Sequence, residues 1–277
     1  MPSEGRPNSI AFIGAGNMAS AIVGGLLDAG YASSRIAVAD PSRTALENMR
    51  ALTISRVSSD ARDVVVGAEL IILAVKPQVM AEVTAGLKGA LEPSSVVMSV
   101  AAGISVASLQ DMLGNPNAPI VRCMPNTPAL VRMGAAGLFA SAEVTEAQRT
   151  RVEAVMRCVG TTLWVEEEQL LEAVTAVSGS GPAYFFAFME AMIAKGEQLG
   201  LSHDQATALT LRTALGAATL AEEQNIAIDV LRRQVTSPGG TTEQALASFS
   251  ASGLNTVVAD AMQACFDRAL TMAKEFK

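Results

Sequence analysis

Histidine occurs once in 277 residues, cysteine three times, and aromatic side chains make up only 4% of the chain. With His203 as its one imidazole, the chain holds no multi-histidine metal centre, and acid–base work falls to other groups or to a substrate. Cys123, Cys158 and Cys265 are odd in number and far apart, which fits neither a disulfide framework nor a zinc cluster. They read as reduced core thiols. Basic residues are also short: 20 Lys plus Arg against 27 Asp plus Glu leave a net charge of −7, which argues against a nucleic-acid partner. The first nine residues lack a charged segment followed by an apolar one, so no secretory signal is read there. The most membrane-like window, 174–194, is interrupted by Ser178-Gly-Ser-Gly-Pro182 and Glu190 and is expected to be a loop feeding a helix. A cytoplasmic protein without metal or membrane is the expectation.

What is present is an apolar, small-residue palette, 50% hydrophobic with 22 glycines. At this length one core is not enough, so two domains are expected. Residues 1–165 alternate short β-branched runs, at 10–13, 36–38, 70–75, 96–100 and 120–124, with amphipathic stretches, the rhythm of βαβ units around a mostly parallel sheet. The run Leu70-Ile-Ile-Leu-Ala-Val75 is apolar at every position, as a strand covered on both faces must be. After Val165 the β signal stops, and residues 166–277 show helical patterning broken at 178–182, 200–202, 237–240 and Gly253. The expected architecture is α/β, a doubly wound sheet followed by an all-helical C-terminal domain. Glu166-Glu-Glu168, at the seam, reads as a solvated helix start that suits the helix dipole.

The first strand runs into Ile13-Gly14-Ala15-Gly16-Asn17-Met18-Ala19, a G-x-G-x-x-A spacing that opens a helix stopping at Gly30. Gly14 permits the tight turn, Gly16 lets the backbone approach a pyrophosphate, and Ala19 lets helix and strand pack closely, a Rossmann-like dinucleotide site. Free N–H groups at the helix start then face the phosphates. At the end of the second strand, Asp40 suits the 2′-hydroxyl of NAD, whereas Ser42 and Arg43 suit the 2′-phosphate of NADP. An Asp before Pro also simply makes a turn or helix cap, so NADP(H) and NAD(H) both stay open. Ala74-Val75-Lys76-Pro77 closes the fourth strand, where ligands bind in open α/β sheets; Lys76 is either a functional cation at that edge or a solvated strand end. Val100, Ala101 and Ala102 end the next strand in small residues that leave room for a nicotinamide ring. Met124-Pro-Asn126-Thr-Pro128 then offers the Asn126 amide to cofactor or substrate.

In the helical half, Val177-Ser-Gly-Ser-Gly-Pro-Ala-Tyr184 feeds a helix with Pro182 in its first turn, suited to close cofactor approach or to tight helix packing. Further on, Ser237-Pro-Gly239-Gly240-Thr241-Thr242 presents glycine N–H groups and hydroxyls together, and Thr241 with Gln244 has capping-box spacing. Such a nest binds an anion, and a small carboxylate is the expected one. His203 sits at a helix start capped by Ser202, a surface position.

Gly14-Ala-Gly-Asn-Met18, Ala74-Val-Lys-Pro77, Ser99-Val-Ala-Ala-Gly103, Met124-Pro-Asn-Thr-Pro128, Ser178-Gly-Ser-Gly-Pro-Ala-Tyr184 and Ser237-Pro-Gly-Gly-Thr-Thr242, in that order, closely resemble the pyrroline-5-carboxylate reductases. The resemblance covers nearly the whole chain from Ile10, and its last two motifs are far more specific than the dinucleotide fingerprint. It implies reduction of 1-pyrroline-5-carboxylate to L-proline with hydride from NADPH, less often NADH, as the last step of proline biosynthesis. It implies that Gly14, Ala15, Gly16, Asn17 and Met18 hold the pyrophosphate, and that Ala74, Val75, Lys76 and Pro77 with Val100, Ala101 and Ala102 line the nicotinamide side. Ser237, Gly239, Gly240, Thr241 and Thr242 would bind the substrate, with Thr242 near the ring nitrogen. A homodimer through the helical domains, often a decamer of five dimers, is also implied. Many NADPH-preferring members of that family carry a small hydroxyl residue where Asp40 stands.

This chemistry suits a chain with one histidine. A protonated cyclic imine is electrophilic and its basicity is near neutrality, so hydride addition needs positioning and carboxylate anchoring more than a strong acid. Thr242 is the candidate for orienting the imine or relaying a proton, and Lys76 is the other catalytic candidate. A related imine reductase, a 3-hydroxyacid dehydrogenase and a non-enzymatic dinucleotide sensor are the alternatives. The dehydrogenase would need a Lys and an Asn where Phe185 and Phe188 stand, and the sensor would not need the nest at 237–242.

Overall fold

The structure, a computed structural model, describes residues 5–275; residues 1–4 of the expected non-secretory N-terminus, and Phe276 at the end of the expected helical half, lie outside the described residues. Eight strands form one sheet: β1 (Ile10–Ile13), β2 (Ile36–Ala39), β3 (Arg56–Ser58), β4 (Leu70–Leu73), β5 (Val96–Ser99), β6 (Ile120–Met124), β7 (Gly134–Ala140) and β8 (Gly160–Trp164). Their spatial order is β3-β2-β1-β4-β5-β6-β7-β8, parallel throughout except for the antiparallel β6–β7 pair. Helices α1 (Asn17–Asp28), α2 (Arg43–Ala51), α3 (Arg62–Val65), α4 (Met80–Leu87), α5 (Val106–Leu113), α6 (Glu146–Met156) and α7 (Leu170–Val174) accompany the sheet. Strand order reverses at β1, between β2 and β4, the switch point at which open α/β sheets bind ligands.

β4 carries the physics of the first half. Leu70 and Ile72 enter one core layer with Ile10, Phe12 and Ile22, while Ile71 and Leu73 enter the other with Ala11, Ile13 and Leu109. Alternate side chains feeding two cores are what a sheet covered on both faces requires, and fully burying each Leu or Ile stabilises by roughly 1.5–3 kcal/mol. The strand ends at Leu73 rather than at Val75; Ala74 and Val75 are its exit toward Pro77. β7, by contrast, reads Gly-Ala-Ala-Gly-Leu-Phe-Ala, and ladders to β6 and β8 make it a strand without any β-branched residue.

Two compact units result: one holds residues up to Ser180 with those from Cys265 onward, the other Gly181–Ala264. The seam expected between residues 165 and 166 therefore falls inside the first unit, because α7 packs on β6 and β7 and buries Leu171. The second unit contains α8 (Gly181–Gln198), α9 (His203–Gln224), α10 (Ile228–Gln234), α11 (Thr241–Ala251) and the start of α12 (Leu254–Glu275). Ser202 and Gln205 form a reciprocal capping box at α9, beside an exposed His203 whose Nδ1 lies 3.1 Å from Glu197. Phe185, Phe188, Met192, Leu211 and Leu215 are exposed in this unit and line one apolar groove. Among the described residues no helix is long and apolar enough to cross a membrane.

Candidate active site

Between β1 and α1 the backbone makes its tightest approach to β4. Gly14 has φ +100°, and a Cβ there would lie 2.5 Å from the Ala74 carbonyl oxygen, so glycine is required by conformation and by space. Gly16 is the N-cap of α1, with no side-chain cap, and beyond its chain neighbours and its own helix no described residue lies within 4 Å of a Cβ placed on it. Its bareness is not demanded by the protein's own packing. The first-turn N–H groups of α1 have no partner within the helix, and the helix dipole favours an anion there, so this cradle fits a dinucleotide pyrophosphate. Ala19, fully buried, brings α1 onto the sheet.

Asp40 is more committed than a ribose ligand alone would be. One carboxylate oxygen accepts the Ala15 N–H at 2.8 Å and the other accepts the Ser42 N–H at 2.8 Å. It therefore ties the glycine loop to the exit of β2. The Ser42 hydroxyl caps α2 through the Ala45 N–H, and Arg43 extends into solvent, 91% exposed, paired only with Glu47 four residues on.

The nicotinamide-side residues gather at the carboxyl ends of neighbouring strands. Ala74 N–H donates to the Ile13 carbonyl, and Val100 N–H to that of Leu73. Ala101 is buried beside a half-buried Ala102. Lys76 is exposed immediately before Pro77, with no ion pair among the described residues. Asn126, expected to offer its amide to a ligand, is buried; its amide nitrogen donates to the Ser178 carbonyl at 3.0 Å, and its carbonyl oxygen accepts the Ala135 N–H at 2.8 Å. These two bonds hold the loop after β6, and the second amide N–H makes no bond to the described residues. Arg132, in left-handed conformation, fastens that loop to α1 through Asp28 and the Ala21 carbonyl.

In the second unit, residues 237–242 are mostly exposed and lead into α11. Gly239 has φ +71°, and Gly240 N–H turns back to the Ser237 carbonyl. The expected capping box between Thr241 and Gln244 does not form, because α11 starts at Thr241 and the N-cap is Gly240. Glu243 instead accepts the Gly239 N–H at 2.8 Å. Thr241 and Thr242 occupy the first helical turn, where N–H groups lack helical partners.

Residue-type reasoning missed one buried group. Glu168, expected in solvent, accepts Arg122 Nη1 at 2.9 Å and the Val106 N–H at 2.7 Å. Arg122 Nη2 lies 3.7 Å from Glu172, and both those side chains are more than nine-tenths buried. The available signal was an arginine inside the apolar strand Ile-Val-Arg-Cys-Met. The three cysteines are free, and burial pushes the thiols of Cys123 and Cys158 up, which keeps them inert.

A doubly wound sheet with a glycine cradle at its switch point, followed by a helical unit, defines a dinucleotide-binding oxidoreductase architecture. Residues 168–272 match the pyrroline-5-carboxylate reductase dimerisation family, and residues 9–103 match the NADP oxidoreductase, coenzyme F420-dependent family. A pyrroline-5-carboxylate reductase from Pseudomonas aeruginosa is 47% identical over 96% of this chain and 97% of its own. The structure of one from Coxiella burnetii superposes with a TM-score of 0.92 at 41% identity, covering 96% of this chain and 98% of that one. A Plasmodium falciparum pyrroline carboxylate reductase with NADP bound gives 0.83 at 26% identity, covering 96% and 98%. The chain belongs to the pyrroline-5-carboxylate reductase family.

Proposed function

We propose that this chain reduces the C=N bond of 1-pyrroline-5-carboxylate to give L-proline, the last step of proline biosynthesis. The carrying observation, in a chain of this family, is the bare Gly16 cradle at the start of α1, beside a second glycine turn, 237–240, that leads into the first-turn N–H groups of Thr241 and Thr242 on α11. When bound, the reduced nicotinamide dinucleotide supplies the hydride that reaches the imine carbon, while the imine nitrogen carries the proton. The loop of Gly14, Ala15, Gly16, Asn17 and Met18 holds the pyrophosphate through backbone N–H groups. Ala74, Val75, Lys76 and Pro77 with Val100, Ala101 and Ala102 present a small-residue wall to the nicotinamide, and Asn126 offers the cofactor its second amide N–H. Ser237, Gly239, Gly240 and Thr241 anchor the substrate carboxylate, and the Thr242 hydroxyl orients the ring nitrogen. Lys76 adds positive charge at the cofactor edge.

NADP(H) is the proposed cofactor, supported by the NADP oxidoreductase match and by the Plasmodium relative with NADP bound. Asp40 is the feature that favours NAD(H). The proposed assembly is a cytoplasmic homodimer through the helical units, in its finer form a ring of five dimers; the exposed apolar groove of the second unit supports a covered face.

The deciding assay follows NADPH and NADH consumption with 1-pyrroline-5-carboxylate. Oxidation no faster than without the imine would reject the function. Thr242→Ala should lower kcat by about 10- to 100-fold with dinucleotide Kd within twofold, the range for losing an orienting hydroxyl. Unchanged kcat removes Thr242 from the mechanism.

A further inference from the structure

The Arg122 cluster has no part in the function proposed above, yet it underlies the turn assigned to the nicotinamide. One guanidinium faces two carboxylates, so the group carries excess negative charge. Arg122 Nε and Glu172 Oε2 are buried with no hydrogen-bond partner among the described residues. Such an arrangement costs stability: a buried ion pair is often matched or exceeded by apolar residues of the same volume. The same side chains line a cavity of about 40 Å³ together with Ala101, Ala102, Gly103 and Met124. Glu168 joins the two sides of it, holding Arg122 on β6 and the first N–H of α5, the helix that the turn 100–105 enters. The far wall is Met272 of α12, whose Cβ lies 3.3 Å from where a Gly103 Cβ would stand. A turn held between an ionic group that joins β6 to α5 and the Met272 wall of α12 has little freedom.

We propose that Arg122, Glu168 and Glu172 are positioning residues for the nicotinamide end of the cofactor, fixing the turn at Val100, Ala101, Ala102 and Gly103 against the end of β6. This rests on the assignment of that turn to the nicotinamide. Glu172→Leu is the informative variant, since it removes the excess carboxylate and leaves Arg122 neutralised by Glu168, so the fold survives. Binding is read by fluorescence titration with NADPH and NADH, and by competition with the matching ADP-ribose fragments that lack nicotinamide.

Glu172→Leu should weaken the full dinucleotide about tenfold, the effect of losing a buried ionic contact with the Arg122 guanidinium 3.7 Å away, with fragment affinity within twofold and an undiminished Tm. Glu172→Gln, which retains an acceptor for Arg122, should restore affinity to within about twofold, a rescue that mere packing would not produce. Ala102→Phe, which crowds the turn directly, should also weaken the dinucleotide and spare the fragment. If Ala102→Phe weakens the dinucleotide and Glu172→Leu does not, the cluster is not a positioning device although the nicotinamide assignment stands. Equal losses for dinucleotide and fragment in Glu172→Leu, with a lower Tm, would show a structural role only and overturn the proposal. An unchanged dinucleotide Kd in Ala102→Phe would overturn the nicotinamide assignment and the proposal with it.

Discussion

Asp40 serves two ends with one carboxylate. Its oxygens organise the glycine loop and the start of α2, and its charge sits where a 2′-phosphate would approach. Removing a like charge from a binding site relieves a cost of a few kcal/mol at most, so Asp40→Ser should raise the NADPH/NADH ratio of kcat/KM roughly tenfold. Because a serine can replace only one of the two hydrogen bonds, absolute affinity for both cofactors should fall slightly. An unchanged ratio would mean that Asp40 is only a loop tie. Glu172 gives a residue-scale signal in pH. Burial pushes its carboxyl above the usual carboxylate range, more than Arg122 beside it pulls it down. The folded state thus holds the neutral acid better than the unfolded chain does. Its contribution is fully present below the ordinary value of 4.5 and is lost as pH rises through the folded value. Tm of Glu172→Gln relative to the parent should therefore rise with pH from about 4.5 upward. A difference that does not vary with pH would contradict the burial argument. The Asp40–Ser42 turn was legible from an Asp before Pro, and Arg122 from an arginine in an apolar strand, but the Asp40 bond to Ala15 and the Glu168 bond to Val106 depend on which backbone N–H groups the fold brings near.

At the scale of elements, legibility followed how locally each signal is encoded. β1 and β4 announce themselves by unbroken apolar runs and β5 by Val96-Val97-Met98, because both faces of a central strand must be apolar. β7 is built from glycine and alanine and exists through its partners, which sequence spacing does not name. The start of α11 differed from the capping-box spacing because Gly240 takes the cap with an extended backbone, φ −82° and ψ 169°. The β1–α1 turn falls where the glycine spacing placed it, and it separates two reasons for glycine. Gly14→Ala puts a methyl into the Ala74 carbonyl at positive φ and should lower stability by about 1–3 kcal/mol in thermal or denaturant melts. At Gly16 a Cβ has open space among the described residues, so the Tm of Gly16→Val should stay near the parent value while dinucleotide affinity falls at least tenfold, as expected when a side chain fills the pyrophosphate cradle. A Gly16→Val variant with parental affinity would remove the phosphate from that loop.

For the whole molecule, the composition that first excluded metals, disulfides and histidine chemistry also explains why the second unit is incomplete alone. Its long helices alternate Ala with Leu, Met and Phe, yet few side chains there are fully buried, and Phe185, Phe188, Leu211 and Leu215 remain exposed. A contiguous exposed apolar groove of this kind marks an interface, and this region matches a dimerisation family. Phe188→Glu with Leu215→Glu would place two charges in that groove, each costing several kcal/mol if a second copy buried it. The parent should sediment as a dimer or a multiple of it, and the double variant as a single chain. The cofactor cradle lies wholly within the first unit, so dinucleotide binding should persist in that variant while imine turnover disappears if the helical unit needs its partner to hold the substrate nest. A double variant that sediments with the parent would move the interface elsewhere on the helical unit. A monomer that still turns over the imine would show that one chain carries the whole site.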